Sequence, residues 1–348
     1  MISVLVFCIL SFISMAILFG ILFGRNELKS DDISLRYEEI DNIKYPRTTI
    51  SFISRGNALC GYIYGEQNQK GLILFAHGIR SGADSFLPEV MYFVDKGWRV
   101  MTFDGTGTRR SEGKSILGLP QTKIDVEAAI EYIKSDNSLS TLPLVLYGHS
   151  MGGYAVAAAL GNYRDDVEAV VCVAAFNSPA DTMYFHSKNT VGILADIEYP
   201  FMWLYQTLLF GADANITAVD GLNSSDTPVL IAYSENDLTV PHDEIGLYAY
   251  REEIINPRVN FYSMETYYDG HTTAWLTENS GKYATEQWEM LKRLHAEYGD
   301  IIPADIYSEF LNGVNKMQMN ELNLQYADMV NDFFRDSLDD TSELSNMD

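Results

Sequence analysis

The chain reads as an α/β protein with a mostly parallel sheet and helices on both faces, and three observations predict it. Short continuous apolar runs at residues 72–76, 99–103, 144–147, 169–174 and 229–232 have the length and composition of strands buried on both sides. Between them, residues 85–96, 121–135 and 151–162 carry apolar side chains at helical spacing. Strict alternation of the two patterns requires right-handed crossovers, which place helices on either face of one sheet.

The remaining elements follow in chain order. Residues 48–54 and 58–64 alternate apolar and polar around Arg55-Gly56-Asn57, the pattern of a hairpin. The rhythm breaks between Phe176 and Asp226. A structureless loop of that size is unusual inside a compact domain. The stretch is rich in aromatic and aliphatic residues such as Tyr184, Phe185, Tyr199, Phe201, Trp203 and Phe210, so a helical cap insertion at about 177–226 is expected over the carboxyl ends of the strands. Beyond it we expect a helix near 243–254, a last strand at 259–263, a helix over 281–298 and an acidic helical tail around 320–335.

Bulk properties exclude several classes. In 348 residues the formal net charge is −24, which opposes binding to nucleic acid or to anionic lipid through the folded surface. Much of that charge falls late, with twelve acidic residues from Ala296 onward against Lys316 and Arg335. Cys8, Cys60 and Cys172 form no disulfide framework and have no metal-spaced partners, so no redox or metal role is expected. From Met1 to Gly24 there is no charged side chain. At about 1.5 Å per residue that run is long enough for a hydrocarbon core of about 30 Å. Neither a basic start nor a small-x-small cleavage site is present, so the expectation is one transmembrane anchor at 1–24, a linker at 25–45 and a domain at 46–348. Arg25, Lys29, Arg36, Lys44 and Arg47 follow the span and favour a cytoplasmic domain, whereas an anchored hydrolase is often exported; both sides stay open.

The chemistry centres on Gly148-His149-Ser150-Met151-Gly152-Gly153. A buried strand runs into a serine flanked by glycines, and a helix begins at once. A turn this sharp strains the serine backbone and needs glycines at positions minus two and plus two. It lifts the hydroxyl clear of the sheet, while the helix N-terminus and the Met151 N–H supply positive potential for an oxyanion. A serine nucleophile needs a base and an orienting acid, in the chain order Ser, acid, His. Asp237, in the loop after the 229–232 strand, is the expected acid, with Glu235 and Asp243 as competitors. His271, behind Gly270 in Tyr267-Tyr268-Asp269-Gly270-His271, is the expected base. His242 competes, while His77 and His149 precede the acid and read as structural; His186 either lines the pocket or is exposed. His77-Gly78 ends the 72–76 strand, so the Ile79 N–H is the expected second oxyanion donor. The glycines of Asp104-Gly105-Thr106-Gly107 form a weak nucleotide signal and a better rim loop.

This set of motifs resembles the α/β-hydrolase superfamily, and within it the monoacylglycerol-lipase-like and serine-aminopeptidase-like branch and the bacterial membrane-anchored hydrolases. The resemblance runs from about Ile50 to Tyr298. It implies the α/β-hydrolase fold, a triad of Ser150, His271 and Asp237, and Ile79 and Met151 as oxyanion donors. Two departures stand out: Ser234 replaces a glycine that many relatives carry before the acid, and Thr106 and Thr108 occupy a loop that often holds a second His or Ser. The expected activity is therefore a serine hydrolase that cleaves an ester of a small or lipid-like acyl substrate, with no metal or organic cofactor required. A peptidase or acyltransferase of the same fold is the alternative, and a membrane-anchored binding protein without turnover is the alternative of another class.

Overall fold

The computed structural model describes residues 2–27, 33–264, 269–299 and 301–345. Lys29, and Tyr267 and Tyr268 of the histidine motif, lie outside them. An N-terminal helix α1 (Ile2–Leu22) precedes the hairpin β1 (Arg47–Ser54) and β2 (Asn57–Tyr64). The alternating units follow: β3 (Leu72–Ala76), α2 (Leu87–Asp95), β4 (Arg99–Phe103), α3 (Pro120–Ser135), β5 (Leu144–His149), α4 (Met151–Tyr163) and β6 (Ala169–Val173). The insertion supplies α5 (Pro179–Val191), α6 (Leu194–Phe210) and the short α7 (Ala218–Leu222). Then come β7 (Val229–Ser234), β8 (Val259–Met264), α8 (Glu278–Tyr298), α9 (Ala304–Gly313) and α10 (Leu324–Ser345).

The eight strands form one sheet in the order β1-β2-β4-β3-β5-β6-β7-β8. Pairings from β4 through β8 are parallel, and only β1 and β2 run against their neighbours. Every side chain of β3, β4, β5 and β6 is buried, as expected for strands covered by helices on both faces. One core lies between the sheet and α3, α4 and α7. A second lies beneath α2 and α10, and a smaller one gathers Ile33, Ala284, Leu291 and Met319. The acidic tail is thus a core helix: Tyr326, Val330 and Phe334 point inward, and the Trp98 Nε1–H donates to Asn331 at 3.0 Å. Its carboxylates occupy the outer side, where Asp328 pairs with Lys96 at 2.8 Å.

Three segments are arranged otherwise than expected. The first is the N-terminal one, where a spanning helix was expected at 1–24. Among the described residues no helix is long and apolar enough to cross a membrane. Instead α1 lies along the cap helix α6, with Phe7 against Phe201 and both Phe12 and Phe19 against Tyr205. Met15, Phe19 and Phe23 are buried in the first core. Second, residues 25–45 are not a loose linker where they are described. The Arg25 guanidinium donates to the carbonyls of Arg109, Ser111 and Gly113, and Leu35, Ile40 and Tyr45 are buried. Third, no helix fills 243–254. That stretch holds only a 3₁₀ turn at Leu247–Tyr250, because Gly246 bridges Phe176 and the Leu247 N–H bonds the Ala175 carbonyl, drawing the chain across the sheet end.

Docking of α1 on the cap makes a quantitative expectation. Phe19→Ala removes a buried ring between Phe23 and Tyr205 and should cost about 3 kcal/mol. The urea midpoint should fall with the slope of the transition unchanged. An unaltered midpoint would mean that α1 does not pack there.

Candidate active site

Ser150 sits between β5 and α4 with φ 56° and ψ −118°, in the left-handed half of backbone space that a serine seldom occupies. The flanking glycines explain how the turn is tolerated. A Cβ at Gly152 would overlap the Ala76 carbonyl of β3, and one at Gly148 would overlap the Gly152 carbonyl. Strand, turn and helix therefore close on one another where only hydrogen fits. The turn is further pinned by the Ser150 N–H, which donates to the Val173 carbonyl at 2.8 Å.

The structure brings the three expected side chains into one hydrogen-bonded line. Ser150 Oγ is 2.9 Å from His271 Nε2, and His271 Nδ1 is 2.8 Å from Asp237 Oδ2. The other Asp237 oxygen accepts from the N–H groups of Thr239 and Val240 at 2.8 and 2.7 Å. That fixes the carboxylate and leaves its second oxygen to orient the imidazole. All three residues are buried. Asp237 is the acid that reaches His271, not Glu235 or Asp243. His242 stacks on Tyr233 and Tyr248 instead. Gly270 serves close approach: a Cβ there would overlap Ser234 Oγ and the Asn236–Asp237 backbone, so the acid and histidine loops touch directly.

The expected oxyanion donors belong to segments next to the nucleophile. Gly78 passes so near that a Cβ would lie 3.2 Å from Ser150 Cβ, so the loop that carries Ile79 runs beside Ser150. Met151 is the first residue of α4. Among the described residues neither the Ile79 nor the Met151 N–H has an acceptor.

Two histidines read as structural prove to frame this constellation as neutral rings. His149 Nε2 donates to the His271 carbonyl at 2.8 Å, and the two rings lie 4.9 Å apart. Burial, with the nearby His271, lowers its pKa to about 3. His77 Nδ1 donates to the Gly78 carbonyl at 2.8 Å and its Nε2 accepts from the Gly105 N–H at 3.0 Å, so one tautomer ties the oxyanion loop to the next loop; burial lowers its pKa as well. The Asp104–Gly107 segment is a scaffold rather than a phosphate cradle. The Gly107 face is filled by the Ser115 backbone, and Asp104 accepts from the Ala83 and Arg110 N–H groups. Asp125 holds the segment from below, accepting from Ser54, Thr106 and Gln121.

The cap is fastened to the body by Lys123, which is buried and pairs with Glu127 and Asp213 at 2.7 and 2.9 Å. His186, on α5, is close enough that the charges of His271 and Asp237 act on it, although burial is the main cause of its lowered pKa. Nothing in its sequence neighbourhood marks that role, because only the fold of the cap sets its place. No group of His, Cys, Asp and Glu among the described residues is arranged to hold a metal ion.

Residues 67–206 match the family model for serine aminopeptidases of the S33 type, and solved structures similar to this one include an esterase and an α/β hydrolase. The chain has the α/β-hydrolase fold, and over two fifths of its length it is similar to the serine-aminopeptidase-like branch. Among curated proteins it is 29% identical over 203 residues to the uncharacterised protein YfhR of Salmonella typhi, covering 54% of this chain and 61% of that one. The chain thus spans about three fifths of that relative's length. It is 22% identical over 223 residues to a bifunctional esterase/perhydrolase of Acinetobacter calcoaceticus, covering 50% of this chain and 77% of that one. An esterase of Pyrococcus furiosus superposes with a TM-score of 0.54 at 16% identity, over 79% of this chain and 98% of that one. An α/β hydrolase of Vibrio vulnificus gives 0.55 at 17% identity, over 78% and 92%. At such identities the structural likeness establishes the fold.

The neutral His149 carries a pH signature. Its folded pKa of about 3 lies below the ordinary 6.5, so the stability it contributes is complete above pH 6.5 and is lost as pH falls towards 3. The loss is on the order of 4 kcal/mol. His149→Asn should flatten that acid limb in urea unfolding followed between those pH values; an unchanged limb would assign it to other groups.

Proposed function

We propose that this hydrolase cleaves esters by acyl transfer through Ser150. The observation that carries the reading is the continuous chain Ser150 Oγ–His271–Asp237, with bonds of 2.9 and 2.8 Å; beside it the Ile79 and Met151 N–H groups have no acceptor among the described residues. His271 Nε2 takes the Ser150 proton as Oγ attacks the substrate carbonyl. The Met151 and Ile79 N–H groups then hold the tetrahedral oxyanion. His271 passes the proton to the leaving oxygen, and in the second half-reaction it draws a proton from water that attacks the acyl-enzyme. Asp237 keeps Nδ1–H pointing away from Ser150 and stabilises the imidazolium.

The apolar cap favours an acyl group with an alkyl or aryl body, and the name of the Acinetobacter relative agrees with ester chemistry. Amide cleavage is the second reading, favoured by the serine-aminopeptidase family to which residues 67–206 match. A panel of p-nitrophenyl esters, monoacylglycerols and aminoacyl amides separates the two by kcat/KM.

A fluorophosphonate probe tests the nucleophile itself. Folded protein should be labelled stoichiometrically and Ser150→Ala should not; equal labelling of both would remove Ser150 from the mechanism. Asp237→Asn should retain the fold and lower kcat by about 10⁴. Near-normal turnover would sink the assignment of the acid.

A lipid surface is proposed as the environment of the cap. Val6, Leu10, Ile13 and Ile17 of α1 are all about half exposed or more, as are Leu194 and Leu208 of α6, so one side of this helix pair faces outward with apolar groups. Contact of this kind is peripheral and does not require a spanning helix. The protein should float with phosphatidylcholine vesicles, and Leu10→Glu/Ile17→Glu should abolish flotation. Recovery of all the wild-type protein in the vesicle-free fraction would refute the contact.

A further inference from the structure

In a chain whose net charge is −24, arginines gather on the two loops next to the nucleophile. Arg80 follows Ile79, the expected oxyanion donor, in the loop after β3. Gly78, two residues before Arg80, is the point at which that loop runs beside Ser150. Arg109 and Arg110 lie in the loop after β4, the strand paired with β3. Asn26 ties the two loops together. Its Nδ2 donates to the Ser81 carbonyl at 3.0 Å, and its own carbonyl accepts from the Arg109 N–H at 2.6 Å. A Cβ at Gly82 would overlap Cδ, Nε and Cζ of Arg109, so that guanidinium rests on the loop that carries Arg80.

Two of these guanidinium groups are uncommitted. Among the described residues neither Arg80 nor Arg109 has a side-chain hydrogen bond or an ion pair. The nearby acids are engaged elsewhere. Asp84 is 2.7 Å from Arg47, Glu27 is 3.2 Å from Arg25, and Glu112 accepts from the Ala58 N–H. Glu38 lies 3.9 Å from Arg110. Asp104 is buried and accepts from the Ala83 and Arg110 N–H groups, and burial raises its pKa. Burial is the main cause of the lowered pKa of His77, and the charge of Arg109 adds to it, so that charge is felt at the strut of the Ile79 loop. Both arginines stand at positive φ, 60° and 44°, a backbone that glycine adopts without strain and that collects at ligand sites. An arginine presents its donors as a planar fork matched to the oxygens of a carboxylate or phosphate. Two such forks on adjoining loops focus positive potential beside Ser150.

We propose that Arg80 and Arg109 bind an anionic group, a carboxylate or a phosphate, carried by the ester that Ser150 cleaves. The inference rests on the esterase reading and names its substrate class, an ester with a fixed negative charge. The arginines exchange no proton. They hold one end of the substrate so that its carbonyl lies at Ser150, and the proton transfers stay with His271.

Paired substrates that differ in charge test it on the full chain. The p-nitrophenyl half-ester of glutaric acid against its methyl ester places a carboxylate on the acyl side. Butyryl glycerol phosphate against butyryl glycerol places a phosphate on the alcohol side. In at least one pair the charged member should have a kcat/KM about tenfold higher, mostly through KM, and the preference should shrink as salt is added. The pair that responds identifies which anion is bound. Arg80→Gln and Arg109→Gln should each remove most of the preference. Each ratio is taken within one protein, so a general loss of activity does not imitate the effect. If neither variant folds, the wild-type ratios and their salt dependence decide the matter. Equal rates for both members of both pairs, or a preference that survives in both folded variants, would overturn the proposal and leave the esterase reading standing. If no member of either pair is turned over, and p-nitrophenyl butyrate is not either, the esterase reading fails and this inference with it.

Discussion

Three backbones meet at the turn that carries Ser150, and their contact permits no side-chain carbon at Gly148 or Gly152. β5 must rise to the top of the sheet, reverse, and feed α4 down against the end of β3, all within five residues. With hydrogen at both positions the Ala76 carbonyl reaches the α4 backbone, and the sheet and its central helix share one surface. The positive φ of Ser150 is the local cost of that closeness. It is over-determined by the bond from Ser150 to Val173 and by the fully buried flank of α4. Because the strain is held by the core, the hydroxyl points outward from a rigid base.

Around that base, proton positions are set by groups that never need to move a proton. His77 and His149 are each locked into one neutral tautomer by a carbonyl acceptor. The first aligns the loop of Ile79, and the second supports the backbone of His271. A charged ring at either place would present a second N–H to a dry neighbourhood without an acceptor, which is why burial holds both neutral. The chain thus uses histidine in two ways within a few ångströms: two as fixed hydrogen-bonding struts, and one whose two nitrogens face a hydroxyl and a carboxylate.

Much of this was legible from the residue order. The buried strands announce themselves as unbroken apolar runs, and β3 and β4 fall where the sequence predicts them. Ser150, Asp237 and His271 are legible because strand-end loops in this order have few ways to converge. What was not legible depends on distant partners. An uncharged 21-residue helix looks the same whether lipid or a cap helix covers it, so the docking of α1 on α6 could not be read from its residues. Residues 243–254 have helical composition, but the Ala175 carbonyl captures the Leu247 N–H and the bridge from Gly246 to Phe176 displaces the helix. The tail read as merely acidic because its carboxylates are frequent, whereas its inward face rests chiefly on three large side chains, Tyr326, Val330 and Phe334.

The place of α10 has a consequence for how the chain comes into being. Trp98 and Asn331 are 233 residues apart and bond directly. At about 5–20 residues per second, a ribosome needs on the order of 10–50 s to pass from one to the other. Throughout that interval the side of the sheet holding Phe93, Trp98 and Tyr147 is synthesised but uncovered, too large and too aromatic to be left in water without risk of clumping. The nascent chain is therefore exposed to aggregation until α10 is made. That helix closes the exposure with its inner face while its outer acidic face repels other copies.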